Sequence, residues 1–444
     1  MKTNASDNQW SGKLGFVMAA AGSAIGLGNI WKFPYMVGTN GGAVFFAVYI
    51  VFLFVLGIPV LMAEMAIGRY AGMNAVDSCG RISEKWKFAG WFGIIGAFTI
   101  LSYYSVVGGW VIKYILHYIV NGRISDPSAY FAGFSSQTAE PIILHLIFLF
   151  ICAAIVVGGI SSGIEKVSKI LLPLLFILLI VMAAVSLSLP NASEGIRYFL
   201  VPDFSDVENI GAICLNAMGQ VFFSLSLGMG TLITYGSYLP KDSRIISSAG
   251  SIVALDSLAA VLSAFVVLPA VFSFGMTPEA GPGLLFQTLP VVFDKISLGR
   301  IAAVTFFVLV LLAAVTSAIS LMEVVVAFMA ERFKMKRSDA VIVLSLILGG
   351  VGAVSSMSLG VLSDFTIFGM GFFDFLSFLS DKIIMPLGGL FICILVGYVW
   401  GIPAAANEIS NGGKLKFRSR KLFAAVVRYI APALILFIFV SALV

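Results

Sequence analysis

Two stretches of this chain set glycines beside small polar residues in the middle of apolar runs. They are Gly22-Ser-Ala-Ile-Gly-Leu-Gly-Asn29 and Ser224-Leu-Ser-Leu-Gly-Met-Gly230. A glycine destabilises a helix interior by about 1 kcal/mol relative to alanine. Unwound backbone in hydrocarbon also leaves amides and carbonyls unpaired. Such a break is tolerated where the freed groups meet a ligand. The alternative for each stretch is close helix packing through small residues, in the GxxxG manner. Two breaks with polar residues beside both favour the ligand. Asp256 and Glu64 add carboxyl groups inside apolar runs, where an acid is costly enough to be functional by default. A satisfied structural acid is the alternative for Asp256. Glu64 is expected to bond the broken first helix rather than a ligand.

Other reactive side chains offer little. Cys79, Cys152, Cys214 and Cys393 are scattered, without a CxxC pair or zinc spacing, and read as buried free thiols. His117 and His145 have no acid or nucleophile placed beside them by sequence, which argues against an enzyme.

The elements that position these residues are membrane helices. Of 444 residues 60% are hydrophobic and 11% charged, against about 25% charged in a soluble domain. Mean hydropathy is +1.04. Apolar runs long enough for a bilayer core of roughly 30 Å recur along the chain. They predict about eleven spans, near 14–37, 43–66, 89–120, 141–160, 167–189, 208–237, 246–275, 299–330, 339–357, 383–401 and 422–444. The first carries Asn29 and Lys32 and no small-residue cleavage site, so it does not read as a signal peptide. No stretch is polar enough for a separate soluble domain, and 1–444 reads as one integral-membrane domain.

Connecting segments sort by charge. One set holds Arg69, Arg81, Lys85, Lys87, Lys166, Lys169, Lys241, Arg244, Arg332, Lys334, Lys336, Arg337 and the basic run from Lys414 to Lys421. The alternate set holds Asp203, Asp206, Glu208, Glu279, Asp364 and Asp374. The positive-inside rule puts the first set in the cytoplasm, with the N-terminus inside and Val444 outside. The net charge of +5 reads as these basic loops, not as nucleic-acid binding. The broken spans are the first of each group of five. Two inverted five-helix repeats, about 14–189 and 208–401 with 422–444 as helix 11, would bring them to a shared midplane site.

At this point the chain resembles the neurotransmitter:sodium symporter family, in its bacterial, LeuT-like, eleven-helix form. The resemblance covers nearly the whole chain. It is carried by Trp10 through Gly42 with Gly26-Leu-Gly-Asn-Ile-Trp-Lys-Phe-Pro34, and by Glu64-Met-Ala-Ile-Gly-Arg-Tyr70. Tyr103-Tyr104, Gly219-Gln-Val-Phe-Phe-Ser-Leu-Ser-Leu-Gly228 and Ala313-Ala-Val-Thr-Ser317 complete it.

The resemblance implies two sodium sites and no chloride. One would use the Ala24 carbonyl, Asn29, Ser224, Asp256 and the substrate's own carboxylate. The other would use the carbonyls of Gly22, Ile25 and Ala313 with the hydroxyls of Thr316 and Ser317. Sodium is a hard cation, and such neutral oxygens suit it. A helix Ser or Thr also commonly bonds the carbonyl one turn back, which is the alternative for Thr316 alone. The substrate carboxylate would meet the amides of Gly26, Leu27 and Gly28 with the Tyr104 hydroxyl, because a helix N-terminus favours an anion. The ammonium would meet carbonyls of Ala24 and Phe223, helped by Ser226. Monoamine-carrying members have an aspartate at the position of Gly26, so glycine there implies a full amino acid. The side-chain pocket would be Ile100, Tyr104, Phe223, Met229, Ser317, Ala318 and Leu321. Met229 replaces a phenylalanine of the leucine transporter, and a mobile thioether leans the substrate towards Leu, Ile, Met, Phe, Tyr or Trp.

In chloride-dependent members the positions of Tyr49, Gln220, Ser224 and Ala260 hold the anion, with serine at 260 and asparagine at 256. Here Asp256 would supply the fixed negative charge instead. The chain departs from the family at both gates. The outer arginine–aspartate pair becomes Lys32 and Ser377, and lysine lacks arginine's fork, so Asp374 or Asp381 is expected to be recruited. The inner arginine becomes Asp7 facing Glu331, so Lys2, Lys13 or another base must intervene; Trp10 and Tyr238 are retained. Gly163 and Pro173 resemble the family's site for unwinding the fifth span. The expected function is sodium-coupled import, across the cell membrane, of a neutral L-amino acid with a bulky hydrophobic or aromatic side chain. A small neutral amino acid or other zwitterion, a transport-defective sensor and a sodium-leak channel are the competing readings.

Overall fold

Long apolar runs form helices because a backbone in hydrocarbon must satisfy its amides and carbonyls internally. The computed structural model describes residues 9–204, 209–276, 283–296 and 298–441. Lys2, Asp7, Asp206, Glu208, Glu279 and Val444 lie outside the described residues, and with them the proposed Asp7–Glu331 encounter.

The main helices are α1 (Lys13–Ala24), α2 (Gly28–Thr39), α3 (Ala43–Ala71), α4 (Glu84–Val120), α5 (Ala139–Val157) and α6 (Ile160–Leu187). They continue with α7 (Ile210–Ser224), α8 (Thr231–Ser237), α9 (Ile245–Ser273), α10 (Gly299–Arg332), α11 (Arg337–Met357), α12 (Phe372–Ile409) and α13 (Arg420–Ser441). Among the described residues nine are long and apolar enough to cross a membrane, and the pair α1 and α2, bent by 54°, makes a tenth. The sixth expected span is α7 followed by α8, 15 and 7 residues long; its break keeps either half from qualifying alone.

Local chemistry sets the ends. Asn209 starts α7 by accepting from the Ala212 amide at 3.1 Å. Gly72, at φ +67, ends α3 in the left-handed region, a conformation that costs glycine nothing. Close packing also uses glycine: a Cβ on Gly68 would run into the Ile233 carbonyl, so α8 lies directly on α3. The α2/α1 and α7/α8 breaks sit inward, α1 packing on α10, α9 and α6 while α4 lies along α10.

One boundary differs from the sequence reading by several turns. The tenth span, expected near 383–401, is Phe372–Ile409 with π-helical turns. Asp374, Asp381, Lys382 and Glu408 lie in the added turns, and two of them are paired within the fold. Asp381 bonds Lys32, and Glu408 bonds Arg69.

Candidate functional site between the two broken helices

Helix α1 ends at Ala24 and α2 resumes at Gly28, with Ile25 between them at φ −79, ψ 90. Opposite, α7 ends at Ser224 and α8 starts at Thr231. Between these last two, Ser226, Gly228 and Gly230 take φ of 53, 78 and 71. A non-glycine at positive φ is strained, so Ser226 is held where an unconstrained chain would not put it.

The breaks share a cavity of about 30 Å³. Ser23, Ala24, Gly26, Leu27 and Gly28 line it from the first break, and Phe223, Ser226 and Met229 from the second. Ile100 and Tyr104 of α4 and Ser317, Ser320 and Leu321 of α10 close the sides. The Tyr104 hydroxyl accepts from the Leu27 amide at 3.3 Å. A Cβ at Gly26 would run into the Ser317 hydroxyl and come within 3.1 Å of the Tyr104 hydroxyl, so any side chain there displaces a neighbour. At Gly28 a Cβ would strike the Phe223 ring. These glycines leave no side chain of their own over the main-chain amides at the start of α2, where the Leu27 amide meets Tyr104. Ala318, expected in the pocket, is fully buried and is not part of this lining.

A buried oxygen cluster lies beside the cavity. Ser224 Oγ donates towards Asp256 at 2.9 Å, and Asn29 Nδ2 donates to Asp256 Oδ1 at 2.8 Å and Ser224 Oγ at 3.2 Å. The Tyr49 hydroxyl is 3.4 Å from both Ser224 Oγ and Asp256 Oδ2. Gln220 Nε2 donates to the Gly28 carbonyl at 3.1 Å. Two oxygens here, Asn29 Oδ1 and Gln220 Oε1, are buried without a partner. Buried acceptors are ordinarily satisfied, so a cation fits this donor set. Ala260, one turn beyond Asp256, is 1% exposed.

A second set faces α10. Gly22 packs against Thr316, a Cβ there reaching 3.3 Å from the Thr316 Cβ. The Ser317 hydroxyl donates to the Ser23 carbonyl at 3.0 Å and lies 3.5 Å from the Gly22 carbonyl. The Thr316 hydroxyl donates to the Leu312 and Ala313 carbonyls at 3.0 Å, the one-turn-back bond. That bond uses its proton and leaves oxygen lone pairs free. Ile25 and Ala313 are fully buried beside these groups.

Above the cavity, Tyr104 and Phe223 separate it from an outer cavity of about 220 Å³ that also touches Lys32, Asp374, Ser377 and Asp381. Lys32 Nζ lies 3.1 Å from Asp381 Oδ2 and 3.8 Å from the centre of the Phe223 ring. Of the two acids suggested as substitutes, Asp381 is the one engaged. The lysine combines an ion pair with a cation–π contact on the ring that covers the pocket.

Below it, Trp10 is 3% exposed and its indole N–H donates to the Tyr235 carbonyl at 2.9 Å. Tyr238 donates to Glu323 Oε1 at 2.7 Å, and Arg337 forms an ion pair with the same, fully buried Glu323. Glu165 accepts from the Ser11 amide at 2.8 Å and from Lys169. Glu331 accepts from both nitrogens of Asn74, backbone at 2.8 Å and side chain at 2.7 Å. Helix α6 is wound from Ile160 onward, with π-helical turns over Ile160–Glu165.

Glu64 departs from its expected partner. Its Oε1 accepts from the Gly228 amide at 2.7 Å, so it braces the second break instead of the first helix. Nothing local in the sequence shows which of two broken backbones a carboxylate will reach. Sequence reasoning also missed Glu323, although the intramembrane-acid criterion that found Asp256 applies to it, and Glu165, which falls between two expected spans. It missed Ser23 and Ser320 because a small serine on a helix carries no pattern of its own.

The sequence profile of the sodium:neurotransmitter symporter family matches residues 7–122 and 135–444. The uncharacterized sodium-dependent transporter YhdH of Bacillus subtilis is 39% identical over 98% of this chain and 97% of its own length. An uncharacterized sodium-dependent transporter of Haemophilus influenzae is 38% identical over 99% of both chains. The crystal structure of MhsT in complex with L-phenylalanine superposes with a TM-score of 0.90 at 42% identity, covering 98% of this chain and 99% of that one. MhsT is a LeuT-fold transporter, and the architecture described above is that fold.

Proposed function

The chain belongs to the sodium:neurotransmitter symporter family, whose members are sodium-dependent transporters and not enzymes, and from that premise we propose that it imports a bulky apolar or aromatic L-amino acid. Two sodium ions accompany it, and chloride is not required. The observation that carries this reading is the cavity itself. Main-chain amides and Tyr104 stand at one end, Met229, Ile100 and Leu321 line its wall, and the Asn29–Ser224–Asp256 cluster lies alongside.

The substrate carboxylate takes the amides of Gly26, Leu27 and Gly28 and the Tyr104 hydroxyl, at the positive end of α2. Its other oxygen completes the first sodium site with the Ala24 carbonyl, Asn29, Ser224 and Asp256. The ammonium takes carbonyls of the breaks, Ala24 and Phe223 among them, with Ser226. The second sodium takes the carbonyls of Gly22, Ile25 and Ala313 with Thr316 and Ser317. At about 30 Å³, the cavity must widen to take a large side chain, and Met229 is the flexible wall that can move. Binding of L-phenylalanine by MhsT supports the same substrate class here.

The N-terminus is cytoplasmic and the C-terminus extracellular. Lys32, Asp381 and Phe223 form the outer closure, and Trp10, Tyr238, Glu323 and Arg337 the inner one. The test is competition binding in sodium buffer between phenylalanine and phenethylamine, which differ only by the carboxylate. Phenylalanine is expected to compete and the amine not to; comparable affinities would show that these amides do not hold a carboxylate.

A further inference from the structure

The floor of the cavity carries two hydroxyls that the reading above leaves unused, and their hydrogen-bond arithmetic is one-sided. Ser320 Oγ donates to the Ser317 carbonyl at 2.7 Å, which uses its only proton. Ser23 Oγ lies 2.6 Å from Ser320 Oγ, so in that contact Ser23 must be the donor. Both protons are then committed. What remains is acceptor capacity alone: two lone pairs on Ser23 and one on Ser320. Even if the Tyr235 hydroxyl nearby takes the lone pair on Ser320, those on Ser23 remain. Ser23 and Ser320 are 4% and 1% exposed and both line the cavity, so bulk water does not compete for them.

Their place in the fold fits the far end of a side chain. Ser23 lies in the last turn of α1, before the break that holds Gly26, and Ser320 follows Ser317 by three on α10. Ser317 packs against Gly26, so the hydroxyl pair lies about one helical turn, roughly 5 Å, below the amides and beside Leu321.

We infer that Ser23 and Ser320 form an acceptor-only subsite that selects, among bulky amino acids, those with a hydrogen-bond donor at the tip of the side chain, tyrosine and tryptophan over phenylalanine. The inference rests on the amino-acid reading proposed above and adds to it the chemistry of the side-chain end. A donor meeting a buried acceptor gains one neutral hydrogen bond, and a tip without one leaves the acceptor dry.

The experiment is sodium-dependent equilibrium binding to the purified full-length chain, using two ligand pairs matched in shape. The first pair is L-tyrosine and L-phenylalanine. The second is L-tryptophan and 3-benzothienyl-L-alanine, in which sulfur replaces the indole N–H. The donor-bearing member of each pair is expected to bind roughly three- to tenfold more tightly, the size of one neutral hydrogen bond. In Ser23→Ala both ratios are expected to fall towards one. Ser320→Ala keeps the lone pairs on Ser23 and is expected to lower the ratios less. The ligand pairs are read in the unmodified protein, so a variant that misfolds does not remove the test. Equal binding within both pairs would overturn the subsite while leaving the amino-acid reading standing. Failure of phenylalanine and tyrosine alike to bind would overturn that reading and this inference with it. Unchanged ratios in folded Ser23→Ala would show that the preference comes from elsewhere, and would also overturn it.

Discussion

Gly26→Asp is expected to cost roughly a thousandfold in amino-acid affinity. Two effects act together. The new Cβ runs into the Ser317 hydroxyl and comes within 3.1 Å of the Tyr104 hydroxyl, the two groups that flank the proposed carboxylate position. The new carboxylate then faces the one the substrate brings. Two like charges about 4 Å apart at an effective dielectric near 20 repel by about 4 kcal/mol. Gly26→Ala separates the terms, since it carries the clash without the charge and is expected to lose clearly less. Phenethylamine has no carboxylate to repel, so its disadvantage against phenylalanine should shrink or reverse in Gly26→Asp. Binding of phenylalanine by Gly26→Asp within tenfold of the unmodified protein would put the carboxylate somewhere else.

The second large effect concerns chloride. The two sodium ions and the zwitterion proposed above would bring net positive charge into a site shielded from water, where an uncompensated ion is costly. Asp256 is placed to offset it, within 2.9 Å of Ser224 Oγ and 2.8 Å of Asn29 Nδ2. One turn along α9, Ala260 provides no hydroxyl for an anion. Transport is therefore expected to run at its normal rate with gluconate in place of chloride. Asp256→Asn with Ala260→Ser removes the fixed charge and supplies the hydroxyl, and is expected to stop in gluconate and resume in chloride. An unmodified protein that fails without chloride would rule out Asp256 as the compensating charge. A double variant indifferent to chloride would leave Asp256 as a sodium ligand only.

The sequence carried the broken helices because glycine in an apolar run is a local signal, and Gly22 to Asn29 and Ser224 to Gly230 bracket both breaks where the helices end. It carried Asp256 because an acid in hydrocarbon stands out whatever surrounds it. Pairings across the chain were less legible. Lys32 reaches Asp381 over 349 residues and Arg69 reaches Glu408 over 339, so charges that looked like loop residues belong inside α12. Glu64 shows the same limit, since its amide partner is 164 residues away on the second break. Ser23 and Ser320 meet across 297 residues, and only the crossing of α1 and α10 gives the pair its chemistry. Ala318 was placed in the pocket with Ser317 and Leu321, but the cavity takes Ser317, Ser320 and Leu321, the face of α10 that helical periodicity turns inward.

Sodium, bound at the pair of oxygen clusters, is proposed to drive amino-acid movement. The direct measurement is uptake of labelled phenylalanine into proteoliposomes holding the full chain, with an inward sodium gradient and, in parallel, with potassium replacing sodium on both sides. Accumulation above equilibrium is expected only with the sodium gradient, and Asn29→Ala is expected to abolish it. Full accumulation in sodium-free buffer would contradict the account.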